Sequence, residues 1–191
     1  MKNTIRSIPF LILMASAAIC SANSISVQPP SQTVNVGDGL LVDVYADIVD
    51  LYAFQFDVAF NPAVLSAIGL WEGPLLATGG STFFIPGAID NTLGTISFTA
   101  NTLVGATSGS SGSGGLATIY FTALGPGTSP VDLSNIVLLD SGLNDIVASS
   151  QNGTVDVLPD APASVPEPAS LLLFGSGLVV ILAKARSKRT R

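Results

Sequence analysis

The chain has 191 residues and a formal net charge of −6, with thirteen acids, seven Lys and Arg, one cysteine and no histidine. Lacking histidine and having only Cys20, it excludes the usual zinc sites, His-dependent triads and intramolecular disulfides. The charges are segregated: residues 24–165 hold twelve acids and no Lys or Arg, so this part forms no internal salt bridge and cannot neutralise a nucleic acid's phosphates.

Lys2 and Arg6 precede an apolar run over residues 8–19 and then small residues, the pattern of a secretory signal peptide spanning residues 1–22. Cleavage after Ala22 places Cys20 at the third position before the cut. A lipoprotein cysteine is the alternative, but Ile19 is large for its preceding position and Ala17 is not the expected aliphatic.

From Ile25 the pattern changes to period two, and residues 24–158 read as one sandwich domain. Leu40, Val42, Val44 and Ala46 alternate with Leu41, Asp43, Tyr45 and Asp47. Tyr52, Phe54, Phe56, Val58 and Phe60 form the strongest strand, which belongs at the centre of the core. Ile96, Phe98 and Ala100 alternate with Thr95, Ser97 and Thr99, and Ala117, Ile119, Phe121 and Ala123 alternate with Thr118, Tyr120 and Thr122. Shorter strands are expected at residues 25–28, 81–85, 131–138 and 154–158, with Asn152-Gly153 as a hairpin turn. Residues 63–69 allow one helical turn after Asn61-Pro62. Eight or nine strands without a helical period predict an all-β, antiparallel sandwich or jelly roll. The run GATSGSSGSGG at residues 105–115 is expected to be a flexible surface loop. Residues 159–168, with Pro159, Pro162, Pro166 and Pro168, read as an extended tether.

The chain ends on Pro166-Glu167-Pro168-Ala169-Ser170, an apolar run at residues 171–183, and a basic tail of Lys184, Arg186, Lys188, Arg189 and Arg191. As a helix the thirteen apolar positions measure roughly 20 Å, short of a bilayer core of about 30 Å. Extension by Ala169 and Ser170 and snorkelling by Lys184 and Arg186 allow a single transmembrane helix across a thinned bilayer. The five cations hold the C-terminus in the cytoplasm and place the sandwich outside.

This order of motif, helix and basic end over residues 165–191 closely resembles the PEP-CTERM sorting signal of Gram-negative bacteria. The resemblance implies recognition of residues 166–170 by an exosortase, a transpeptidase-like membrane enzyme, in species that make exopolysaccharide. It implies an inner-membrane precursor that passes to the cell surface or extracellular matrix. An ordinary C-terminal anchor with a proline-rich hinge is the alternative.

Three stretches resemble cohesin modules, the jelly-roll partners of dockerins, which are related in fold to some carbohydrate-binding modules. They are residues 50–62 with Val64-Leu65, residues 114–121, and residues 139–157 ending in Gly153-Thr154-Val155-Asp156-Val157. The resemblance implies a cohesin-like binding scaffold without catalysis, and polysaccharide-related adhesion by analogy.

The candidate ligand-binding residues are Trp71, as a sugar-stacking platform, and the hydroxyl-bearing Thr95, Thr99, Thr118, Tyr120 and Thr122 on two strands expected to lie near each other. Each has a structural alternative, since threonine suits an exposed strand and a lone tryptophan can plug a core. Asp47 and Asp50, and separately Asp140 and Asp145, sit in oxygen-rich turns that could hold calcium, although neither spacing matches a known calcium loop and Asp favours turns anyway. No cofactor is otherwise expected. Glu72 is the only glutamate of the domain, which argues against a paired-carboxylate hydrolase. The expected function is an exported, non-enzymatic module that binds exopolysaccharide or a matrix protein; an acidic matrix filler bridged by calcium is the second reading.

Overall fold

The computed structural model describes residues 23–160. The signal peptide, nearly all of the tether, the PEP motif, the helix at 171–183 and the basic tail lie outside the described residues, as does Cys20. Among the described residues no helix is long and apolar enough to cross a membrane.

Two sheets pack face to face. One has five strands in the order β11 (Ser149–Gln151), β1 (Ser24–Gln28), β3 (Gly39–Leu51), β9 (Ser110–Ala123) and β5 (Leu65–Glu72). The other has seven: β2 (Ser31–Asn35), β12 (Gly153–Leu158), β10 (Gly127–Leu139), β4 (Ala53–Phe60), β8 (Thr95–Leu103) and β6 (Thr82–Ile85) in that order, with β7 (Ala88–Asp90) also pairing β8. A single helical turn, α1 (Pro74–Ala77), covers part of the five-stranded sheet. This is the expected all-β sandwich.

The alternation seen in the sequence is the inside–outside alternation of the strands. In β4, Phe54, Phe56, Val58 and Phe60 are all buried, and the strand lies between β10 and β8. In β9, Ala117, Ile119, Phe121 and Ala123 are buried from the other side. Phe60 and Phe121 meet across the sandwich edge to face, 5.2 Å apart at 71°. Burying each such ring contributes about 1.5–3 kcal/mol relative to exposure. With no ion pair possible inside, this apolar layer and the backbone ladders are the main sources of cohesion.

The pairings are antiparallel except at two places, where β1 runs parallel to β11 and β2 runs parallel to β12. Both ends of the sandwich switch sheets at one corner, between β1 and β2 at Pro29-Pro30 and between β11 and β12 at Asn152, where Thr154 N–H donates to the Pro30 carbonyl at 3.1 Å. Asn152-Gly153 is therefore a sheet-switching corner and not a hairpin turn. The Asn152 side chain fixes it, accepting from Leu133 N–H at 3.0 Å and donating to Asp132 at 2.8 Å. Gly153 is required because a Cβ there would overlap the Val27 side chain.

Two other expectations are corrected. Residues 105–115 are not one flexible loop, since β9 starts at Ser110 and carries Gly112, Gly114 and Gly115 within it. The segment is held by Asp50, whose carboxylate accepts from Gly109 N–H at 2.8 Å, and by Ser110, which donates to the Leu76 carbonyl of α1 at 2.9 Å. Its glycines serve contact: a side chain at Gly114 would press on Leu75 at 3.1 Å, so small residues let α1 lie directly on the sheet. The helical turn proposed at residues 63–69 is only an N-terminal fragment. Val64 and Leu65 donate to the Asn61 carbonyl, and the chain then enters β5 at Leu65 because Leu65, Ala67 and Leu70 are drawn into the core.

Candidate functional site

The outer face of the seven-stranded sheet is organised by Asp57, an acid at an outward position of β4. Its two oxygens accept from different strands: Oδ1 from Phe98 N–H of β8 at 2.7 Å, Oδ2 from the Asn135 side chain of β10 at 2.6 Å. Both donors sit at irregularities of the ladder with left-handed backbones, φ 60° at Phe98 and 49° at Asn135. One carboxylate thus joins bulges on both sides of the central strand.

The bulge in β8 reverses the expected facing of its residues. Ile96 is buried, Phe98 is 52% exposed, and Thr99 is fully buried, with its hydroxyl directed at the Pro86 carbonyl at 3.4 Å. Thr99 is therefore no surface hydroxyl. A β-bulge inserts one residue, and everything after it changes side. An aromatic residue at positive φ costs of order 1–3 kcal/mol, a strain that recurs at functional surfaces.

Beside this bulge the same face carries a groove of about 230 Å³. Phe83 and Ile85 of β6 form one wall and Val137 and Leu139 of β10 the other, over Gln55, Ala100 and Thr102. Phe83 is 63% exposed although it has an apolar ring. Phe83, Phe98, Val137 and Asp57 were missed as site residues in the sequence. An acid in the middle of the most apolar strand was the one visible signal.

The outer face of the five-stranded sheet gathers a different set. Trp71 of β5, Thr118 of β9 and Asp43 of β3 stand in one cross-strand row, and Gly69, Tyr120 and Leu41 stand in the next. Trp71 is 54% exposed, and its ring lies 6.3 Å from that of Tyr120 at an angle of 55°. Thr118 donates to Asp43 at 2.6 Å, and Thr122 is half-buried two residues beyond Tyr120. Trp71, Thr118, Tyr120 and Thr122 are thus brought together on one face. Thr95 is not with them: it is half-buried on β8, in the opposite sheet. The expectation that the two threonine strands are neighbours fails because the chain crosses between sheets over residues 104–109.

The four aspartates considered for calcium do not converge. Asp50 accepts from Gly109 N–H and from the Ser141 hydroxyl at 2.8 Å each, closing loops against the end of β3. Asp140 accepts from Asn144 N–H at 2.9 Å, from the Asn144 side chain at 3.2 Å and from Gly142 N–H at 2.8 Å, bonds that in that order hold its carboxyl below the usual range. Asp90 is lowered likewise, chiefly by Leu93 N–H and then Thr92 N–H. Asp47 lies on β3 opposite Ser24, and Asp145 bridges to Leu139. Among the described residues no three His, Cys, Asp or Glu are grouped to hold a metal. Glu72 accepts from the buried Asn101 side chain at 2.8 Å, tying the edge of one sheet to the other.

Fold and faces define a β-sandwich binding module, and comparison with known proteins gives its kind. The cohesin domain model matches residues 25–157, more than half of the chain, and the chain belongs to the cohesin family. The PEP-CTERM protein-sorting motif matches residues 164–189. Solved structures agree on the fold. A non-cellulosomal cohesin from the archaeon Archaeoglobus fulgidus superposes with a TM-score of 0.57 at 15% identity, over 72% of this chain and 92% of that one. A chain from a type I cohesin–dockerin complex of Clostridium thermocellum gives 0.59 at 16% identity, over 72% and 99%. A chain from the complex of the sixth cohesin of Acetivibrio cellulolyticus scaffoldin B with a Cel5 dockerin gives 0.59 at 19% identity, over 72% and 100%. No curated protein matches this chain in sequence. The sorting motif and the cohesin domain together make the chain an exported, surface-associated binding module.

Proposed function

We propose that the protein is a non-catalytic docking module that holds a dockerin-like protein partner at the cell surface through the outer face of its seven-stranded sheet. The observation that carries this reading is the apolar groove between Phe83 and Val137, with Phe98 held outward beside it by Asp57. Exposed aromatic anchors around a preformed concavity are what a protein interface uses at its centre. The groove's polar atoms from Gln55 and Thr102 can fix orientation. Two of the similar structures are complexes with dockerins, which supports a partner of that class. Outside the sandwich, residues 166–170 would be read by an exosortase, and residues 184–191 would set the membrane orientation.

Calorimetric titration of the full-length chain with dockerin modules from the producing organism's secreted proteins tests the reading. Phe83→Asp and Val137→Asp are expected to abolish binding while leaving the β-sheet circular dichroism unchanged, and Trp71→Ala is expected to have no effect. Binding that survives both groove variants, or no binding by any dockerin, refutes it.

A further inference from the structure

The aromatic pair on the opposite sheet is built differently from the groove. Trp71 and Tyr120 do not pack into the core; they lie along the sheet surface, Trp71 over Gly69 and Tyr120 in space that Gly39 leaves open. The Trp71 ring rests 3.6 Å from where a Cβ of Gly69 would stand, and the Tyr120 hydroxyl end occupies the space a Cβ of Gly39 would need. A side chain at Gly39 would displace the Tyr120 ring, whereas a Cβ at Gly69 would only touch the Trp71 ring at ordinary contact distance. The pair remains accessible, flanked by Leu41 and Ile68, 54% and 56% exposed.

Polar groups surround this apolar strip. Thr118 has its proton committed to Asp43, which leaves its oxygen as an acceptor. Gln28 stands opposite Asp43 on β1, and Ser66 stands opposite Thr122. Aromatic surface for the C–H face of a ring, edged by hydroxyl and amide groups, is the combination that a sugar needs. The charge of the ligand follows from the rest of the domain. Residues 24–165 contain twelve acids and no cation, so an anionic polymer is repelled and no group can pair with a uronate.

We infer that Trp71, Tyr120, Thr118 and Asp43 form a carbohydrate platform for an uncharged polysaccharide, on the face away from the proposed protein groove. The two sites lie on different sheets, so failure of one leaves the other standing. A module with both would link a protein partner to a glycan matrix.

Trp71 is the only tryptophan, so its fluorescence reports this site alone. The full-length chain in a polyoxyethylene detergent is titrated with dextran, hydroxyethyl cellulose and galactomannan, and with alginate as the anionic control. Acrylamide quenching of Trp71 is measured at each step, and affinity electrophoresis is run in the same polymers. The expected result is protection of Trp71 and retardation by at least one neutral polymer, and neither by alginate. Trp71→Ala weakens the retardation about tenfold or more, whereas Phe83→Asp leaves it unchanged. Three results overturn the inference: no neutral polymer protects Trp71, alginate protects it equally, or only the protein partner does. Because quenching is read on the unmutated chain, a variant that fails to fold does not obscure the outcome.

Discussion

Replacing Asp57 with alanine removes an acceptor shared by two bulges. The bonds at 2.7 and 2.6 Å are charge-assisted, and such bonds contribute about 1.5–3 kcal/mol each. Asp57 is only half-buried, so the lower end applies, and the loss is expected to be about 3 kcal/mol. The strand cannot escape by losing the bulge, because sliding β8 by one residue would expose Leu103 and Asn101, now 2% and 3% exposed. Asp57→Asn keeps an acceptor for Phe98 N–H and should lose about half as much. Urea unfolding followed by circular dichroism measures both, and the midpoint of the alanine variant should fall by roughly 1–2 M. A double-mutant cycle with Asn135→Ala isolates the Asp57–Asn135 coupling. If Asp57→Ala unfolds within about 0.5 kcal/mol of wild type, the carboxylate does not hold the bulges and the account of Phe98 is wrong.

Phe98→Asn should raise stability by about 0.5–1 kcal/mol, visible as a higher melting temperature, since Asn tolerates φ near 60° and Phe98 buries little. The same change should weaken the partner binding measured by calorimetry, and unchanged binding would remove Phe98 from the interface. Gly153→Ala should cost about 1–3 kcal/mol in thermal unfolding, because the new Cβ overlaps Val27 at the corner. The carboxyls of Asp90 and Asp140 lie below their ordinary value of 3.8, so their turn bonds contribute fully above it and are lost as pH falls through the lower folded values. In an NMR acid titration, the Leu93 and Asn144 amides should shift with midpoints below 3.8; a midpoint at or above 3.8 would contradict the turn geometry.

The sorting signal was legible in sequence because its parts are contiguous: the motif, the apolar run and the cations follow one another over residues 165–191. The sandwich was legible because period two is a local property of each strand, and the cores of β3, β4 and β9 follow it. The absence of Lys and Arg from residues 24–165 was likewise complete in the sequence. The candidate faces depended on more than local pattern. Trp71, Thr118 and Tyr120 were singled out for chemistry, but that they meet depends on β5 pairing with β9. Thr99 was misplaced and Phe98 overlooked because a bulge shifts the alternation by one, and its anchor Asp57 lies 41 residues away. The Gly and Ser run at residues 105–115 looked unstructured because its partners, Asp50 and α1, come from elsewhere in the chain. Periodicity and composition act along the chain and are written in it. Bulges, corners and the choice of sheet are set by contacts between distant segments, so only the tertiary structure decided which side chains share a face.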